Sequence, residues 1–326
     1  PFTNRGYPVY CNLDLLRRFR PNINRIAAYL NMLKPDILHA YGTENSYALA
    51  ALNSGFPTLI SMQGIINIIL KDSTGLHDRL RKELELEAVK QMTFVDCLTN
   101  LDTGFIASQN PQAKIFTIHR AIHPAYFESK WTLPKDKKLL FVGTVIQRKG
   151  IEVLLEALGI VKKQIPEVAL NVAGMVEEAY KNELIDKCRR LGLEDVIRFL
   201  GHQSAEQIAD LHLESRLMAF PSFIDNSPNS VAEAMVSGLP IVASRVGGIP
   251  SMIEHDKTGL LVEPADSEAL AESIIELLEN DAKCLALSQS AQQIAFERYH
   301  PQKVATAAIN AYKFILEQKI VLRESA

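Results

Sequence analysis

The chain has 326 residues, 47% of them hydrophobic and 22% charged, the balance of a folded globular protein with room for two domains. A formal net charge of -3 leaves no basic footprint for nucleic acid, and no run reaches the roughly 18 apolar residues of a membrane span. Cys11, Cys97, Cys188 and Cys284 have neither CxxC nor metal-site spacing, so reduced thiols in a cytoplasmic protein are expected.

In chain order, strands are predicted near 36–42, 57–63, 95–99 and 114–119, with helical patterns between them, the rhythm of an open parallel sheet. Ligands of such sheets gather beyond the carboxyl ends of the strands, which singles out Glu44, Gln63 and Gly64. The competing roles are a helix cap for Glu44 and loop hydrogen bonds for Gln63. His39 falls inside a strand pattern and reads as a core histidine with satisfied nitrogens. The stretch 77–93 is charged on one face and apolar on the other, a solvated helix to which no chemistry is assigned. Trp131 to Lys138, with Pro134 and three lysines, reads as a linker that divides a first domain, 1–134, from a second, 135–301. The remainder, 302–326, reads as a helix with Val304, Ala308, Ala311, Tyr312 and Ile315 at helical spacing.

Six more strands are predicted near 139–143, 168–173, 196–200, 215–220, 240–243 and 259–262, making a doubly wound sheet. The first opens into Gly143-Thr144-Val-Ile-Gln-Arg148-Lys149-Gly150, where a glycine permits close backbone approach and a cation ends the loop. Gly201 and His202 end the third. The fourth enters the polar loop Asp225-Asn226-Ser227-Pro228-Asn229-Ser230, followed by a helix from Val231 that Gly238 closes. Ser227 is expected to cap this helix and Pro228 to take its first position. The open amides of Asn226 to Ser230, with the helix dipole, attract an anion such as a phosphate. Glu233 shares a helix face with Asn229 and Ser230, where a carboxylate accepts hydrogen bonds from a neighbouring pair of hydroxyls. A nucleotide sugar offers both groups.

This pattern resembles the donor site of the retaining GT-B glycosyltransferases of family 4, the group 1 type, whose signature is two acids eight positions apart. Here they are Asp225 and Glu233, followed by Ala234-Met235, Gly238-Leu-Pro-Ile-Val-Ala-Ser244 and Val246-Gly-Gly-Ile-Pro250. The likeness runs from about Leu33 onward and is densest between Lys138 and Pro264. Three positions depart from it: Asp225 stands where Glu is usual, Gln63 where His is common, and Thr144 where Arg is common. Of a further family element only Thr99 and Asp102 are retained.

The resemblance implies two Rossmann-like doubly wound parallel-sheet domains. The first is expected to be incomplete at its N-terminus, because the chain opens on Pro1 without the family's initial strand and glycine-rich loop. The implied activity is transfer of a sugar from a nucleotide-diphosphate donor to an acceptor hydroxyl with retention of configuration, in polysaccharide or glycolipid synthesis. Asp225, Lys149 and Glu233 would be catalytic: Lys149, with Arg148 beside it, on the diphosphate, Glu233 on the ribose hydroxyls, and Asp225 on the outer hydroxyls of the sugar. The donor would be bounded further by Gly143, Thr144, Gly201, His202 and the loop from Asn226 to Val231, and the acceptor by Glu44, Gln63 and Gly64. No cofactor or metal is expected besides the nucleotide-sugar co-substrate, since no DxD-like pair is present. A glycan or lipid-linked acceptor would bring peripheral association with the inner face of a membrane. The absence of GxGxxG at a strand-to-helix turn argues against a nicotinamide dehydrogenase. A sugar-nucleotide epimerase and a non-catalytic nucleotide-sugar-binding protein remain as alternatives.

Overall fold

The computed structural model describes residues 15–128 and 130–324, with side chains as far as Gln318. Cys11 and the opening at Pro1 lie outside the described residues. The chain forms two compact units: residues up to Ile118 joined by those from Thr306 on, and His119–Ala305.

The first unit holds four parallel strands in the order β1-β2-β3-β4: β1 Leu38–Tyr41, β2 Thr58–Ser61, β3 Phe94–Asp96 and β4 Lys114–Phe116. Its core joins Ile60, Met62 and Val95 of the sheet region to Leu84, Ala88 and Val89 of the helix Leu76–Gln91 and Ile106 of the helix Asn100–Gln109. The structure corrects the solvated reading of 77–93 at one residue. Glu85 has no exposed surface, and its carboxylate accepts bonds from Thr43 Oγ1 at 2.7 Å, Ile66 N at 2.9 Å, and Asn67 N and Nδ2, each at 2.8 Å. Four donors offset the desolvation of a buried carboxylate, which here ties three segments together. The spacing held the clue, since Glu85 lies three and four residues before the buried Ala88 and Val89.

His39 is satisfied, as expected. Its Nε2 lies 2.7 Å from Ser61 Oγ, whose hydroxyl donates to Asp96 Oδ2 at 2.7 Å. Ser61 therefore accepts from the Nε2 proton, which leaves Nδ1 to accept from Tyr312 Oη at 2.6 Å. Asp102 is buried and forms a capping box with Thr99 at the start of the helix Asn100–Gln109, so the retained Thr and Asp serve the backbone.

The second unit contains six parallel strands: β5 Lys138–Val142, β6 Ala169–Ala173, β7 Ile197–Gly201, β8 Leu217–Phe220, β9 Ile241–Ser244 and β10 Leu260–Val262. Alternate side chains of β5 feed separate cores. Leu139 and Phe141 pack with Leu154, Leu158 and Val161 of the helix Ile151–Gln164, whereas Leu140 and Val142 pack with Val231 and Met235 of the helix Asn229–Ser237. Helices thus cover both faces, which is why these strands are nearly all apolar.

The division between units falls earlier than the linker expected at 131–138. Trp131 is only 8% exposed and donates from Nε1 to Ser215 O at 2.8 Å, while Tyr126 is buried in the same core. Two aromatic side chains thereby bind 119–134 to the second unit. Cys97, Cys188 and Cys284 are free, buried thiols. No helix among the described residues is long and apolar enough to cross a membrane.

His212, in the helix Ala205–Glu214, is fully buried against Ser237 Oγ at 2.9 Å, and burial pushes its imidazole down to about 3. The folded unit therefore holds it neutral, while the unfolded chain protonates it below its ordinary value of 6.5. Its contribution is complete above that pH and is lost as pH falls from there toward 3. Urea unfolding between pH 6.5 and 4 should show stability falling by up to about 1.4 kcal/mol per pH unit from this group, and His212→Asn should flatten the slope.

Candidate functional site

The second sheet runs β10-β9-β8-β5-β6-β7, so the winding reverses between β5 and β8. From β5 the chain moves outward through β6 and β7; from β8 it moves the other way through β9 and β10. Helices after the two strands leave on opposite faces, and the carboxyl ends of strands at such a reversal are where open α/β sheets take their ligands. The loops following these two strands are Gly143–Gly150 and 221–228, the two richest in candidate residues.

The loops are stitched together through their backbones. Arg148 O accepts from Phe223 N at 2.9 Å and from Ser222 Oγ at 3.2 Å. Gly150, at φ +70°, crosses so close to the second loop that a Cβ there would stand 1.9 Å from Pro221 O. The crossing brings Lys149 Nζ into an ion pair with Asp225 Oδ2 and 4.9 Å from the centre of the Phe220 ring. Arg148 Nη1 donates to Ile224 O at 2.8 Å and stands 3.9 Å from the same carboxylate oxygen. Both the Lys149 and the Asp225 side chains are 14% exposed, partly withdrawn from water yet reachable.

Asp225 is held from behind by the Val246–Pro250 segment. Gly248 N donates to Asp225 O at 3.0 Å, and a Cβ on Gly247, at φ +55°, would meet that oxygen at 1.9 Å. These glycines therefore serve the backbone of Asp225.

The helix after β8 starts at Asn229, one residue after the Pro228 expected at its first position. Pro228 is extended at φ -67° and ψ 124° and stands just before the helix, and no side chain caps it. Ser227 Oγ instead lies 3.9 Å from Met252 Sδ. Val231 N is also engaged, donating to Pro228 O at 3.2 Å. Of the helix's first amides, those of Asn229 and Ser230 lack an acceptor among the described residues and remain open to an anion. Gly238 ends the helix in the left-handed conformation, as expected.

Two residues that sequence reasoning passed over join this helix. Arg120 Nη1 donates to Asn229 Oδ1 at 3.2 Å, bringing a further cation to the helix N-terminus. Tyr126, buried in the short helix Ala125–Glu128, packs against this helix near Glu233. Burial raises the proton affinity of Glu233, while the Tyr126 hydroxyl and the nearby His123 oppose that rise. Burial and the adjacent Glu233 push the Tyr126 phenol up. No periodicity links residues over 100 positions apart, so neither contact had a signal in the sequence.

The other candidates are placed as follows. Gly143 and the exposed Thr144 follow β5 directly. Gly201 and the exposed His202 end β7, two strands from β5 in the sheet order. Glu44, Gln63 and Gly64 belong to the first unit, where Glu44 Oε1 accepts from Gly64 N at 2.7 Å and joins the loops after β1 and β2. Glu44 does not cap the next helix, whose boundary residue is Ser46. Among the described residues, no group of three or more His, Cys, Asp or Glu is placed to hold a metal ion.

The close crossing at Gly150 gives a test. Gly150→Ala must both adopt a left-handed backbone and displace Pro221, whereas Gly192→Ala meets only the backbone cost, since nothing stands within 4 Å. Denaturant unfolding should show about 1–2 kcal/mol lost for Gly192→Ala, and a larger loss for Gly150→Ala.

Residues 125–294 match the family model described as "Glycosyl transferases group 1". The amylovoran biosynthesis glycosyltransferase of Erwinia amylovora is 32% identical over 187 residues, covering 54% of this chain and 45% of the relative. The chain spans about half the length of the curated relatives it matches. Among solved structures, sucrose-phosphate synthase from Thermosynechococcus elongatus superposes with a TM-score of 0.80 at 20% identity, over 91% of this chain and 77% of that one. Anabaena HepE in complex with UDP-glucose superposes with a TM-score of 0.73 at 20% identity, over 90% of this chain and 81% of that one. The two parallel sheets are those of the GT-B architecture.

Proposed function

Because this chain belongs to the glycosyl transferases group 1 family, we propose that it moves a sugar from a nucleotide-diphosphate donor to an acceptor hydroxyl, with retention at the anomeric carbon as in family 4. The observation that carries this reading is the meeting of Lys149 with Asp225 at the β5/β8 switch point, beside the open amides of Asn229 and Ser230. As the glycosidic bond breaks, the nucleoside diphosphate leaves with growing negative charge. Lys149, the two amides and the helix dipole are then its counter-charge, preorganised and partly shielded from water.

Asp225 receives its cationic contacts on Oδ2. In this reading Oδ1 accepts from the sugar's outer hydroxyls, so Asp225 orients the donor and is not the nucleophile. Glu233 accepts from the ribose hydroxyls, and Gly201 and His202 border the base. Glu44, Gln63 and Gly64 would face the acceptor, a glycan or a lipid-linked intermediate met at a membrane surface. The amylovoran relative supports polysaccharide synthesis as the context, and the HepE complex supports a donor of the UDP-glucose kind.

Thermal-shift screening of UDP, GDP and ADP sugars would identify the donor. With that donor, Lys149→Ala and Glu233→Ala should each weaken binding by about 1.5–3 kcal/mol in calorimetry, the cost of a lost charge-assisted hydrogen bond. Unchanged affinity in both variants refutes the site. Proton NMR of the transfer product should show the donor's own anomeric configuration, and the rate should persist in EDTA because Lys149 and the amides supply the neutralising charge.

A further inference from the structure

We propose that Glu44 selects the acceptor as a neutral sugar: its carboxylate is held ready for a pair of adjacent hydroxyls, and its charge turns away a phosphate- or carboxylate-bearing acceptor at that position. This rests on the acceptor role given above to the first unit, and it names the chemistry that role would take.

Glu44 follows β1 and is half-buried. Its Oε1 accepts from Gly64 N, beyond the end of β2, at 2.7 Å. Its Oε2 lies over Gly42, where a Cβ would stand 2.1 Å away, and a Cβ on Gly64 would stand 3.0 Å from Oε1. The carboxylate is therefore bedded on two glycines, one of which, Gly42 at φ +83°, also takes a left-handed backbone. Its place is the carboxyl end of two parallel strands, where open sheets take their ligands.

Tying two loops together does not call for a charge. One N–H needs one acceptor, which a glutamine supplies without desolvating an ion. Glu85 in the same unit shows what a structural carboxylate receives, four donors at 2.7 to 2.9 Å. Glu44 receives one, and among the described residues no donor or cation engages Oε2. That oxygen has lone pairs for two donors, which adjacent sugar hydroxyls supply. Tyr41, three residues earlier at the end of β1, is 60% exposed, with its ring stacked on His39 at 4.3 Å between centroids. A sugar ring has a hydroxyl edge and an apolar C–H face, and a carboxylate and an exposed aromatic ring at one strand end suit both. An anionic group in the same place would meet like charge with no cation to offset it.

The test is saturation-transfer NMR, titrating the methyl glycosides of glucose, galactose and mannose, with glucose 6-phosphate, galacturonate and methyl glucosaminide. It is run on the full chain and on Glu44→Gln, which keeps an acceptor for Gly64 N and removes the charge. The wild type should bind at least one neutral hexoside and neither anion. Glu44→Gln should weaken that hexoside about tenfold, the scale of a hydrogen bond to a charged group. The variant should narrow the gap between neutral and anionic sugars, and keep the wild-type urea midpoint and nucleotide-sugar affinity. The proposal is overturned if the wild type binds no hexoside, binds an anion as well as a hexoside, or prefers the glucosaminide. It is overturned too if Glu44→Gln binds the hexoside as the wild type does, or if its losses track a fallen urea midpoint, the mark of a structural tie alone. No nucleotide enters these titrations, so hexoside binding by a chain that binds no nucleotide sugar sinks the donor reading, and the reverse result sinks this one.

Discussion

The site depends on one pairing, that of β5 with β8, whose partners Leu139 and Leu217 or Leu140 and Met218 are far apart in the chain. This pairing sets the loops at 143–150 and 221–228 edge to edge and sends the helices Ile151–Gln164 and Asn229–Ser237 to opposite faces. Parallel pairing makes both strands end on the same side, so each delivers its loop to one crevice. Within the crevice the geometry is enforced by backbone contact: Gly150 against Pro221 on one side and Gly247 against Asp225 on the other leave no room for a Cβ. Lys149 and Asp225 are brought together by strand order and by glycine before any attraction between their charges acts.

That attraction is of limited use to stability. A largely shielded ion pair recovers little beyond the cost of ordering and desolvating its two side chains. Its value lies in preorganisation. The lysine is held by a carboxylate, by an aromatic face and by a tight turn, so a diphosphate would find the cation in place. Glu233 is treated oppositely: burial raises its proton affinity, and the nearby Tyr126 hydroxyl and His123 oppose that rise.

The first unit uses buried polar groups for cohesion. Glu85 gathers Thr43, Ile66 and Asn67, Glu44 closes on Gly64, and the ordered chain from Tyr312 through His39 and Ser61 to Asp96 fastens the residues after Thr306 to the sheet. Each member is paired, so each segment pairs with a specific partner where a purely apolar contact would slide.

Local pattern alone was enough for much of the molecule. Ten strands, the closing glycine at 238, the satisfied His39, the loops bearing Lys149 and Asp225 and the helix bearing Glu233 were all legible, because strand periodicity, turn chemistry and helix spacing act over a few residues. Three readings failed where distant contacts overruled local chemistry: the lysine-rich stretch at 131–138 became part of a core through Trp131, Glu85 was buried on a charged helix, and Ser227 left the cap it was suited to. Strand order, the ion pair at the switch point and the arrival of Arg120 at Asn229 join positions about 75 to 110 apart. Such contacts are decided by tertiary packing, since only the folded backbone brings these donors within hydrogen-bond reach of their acceptors.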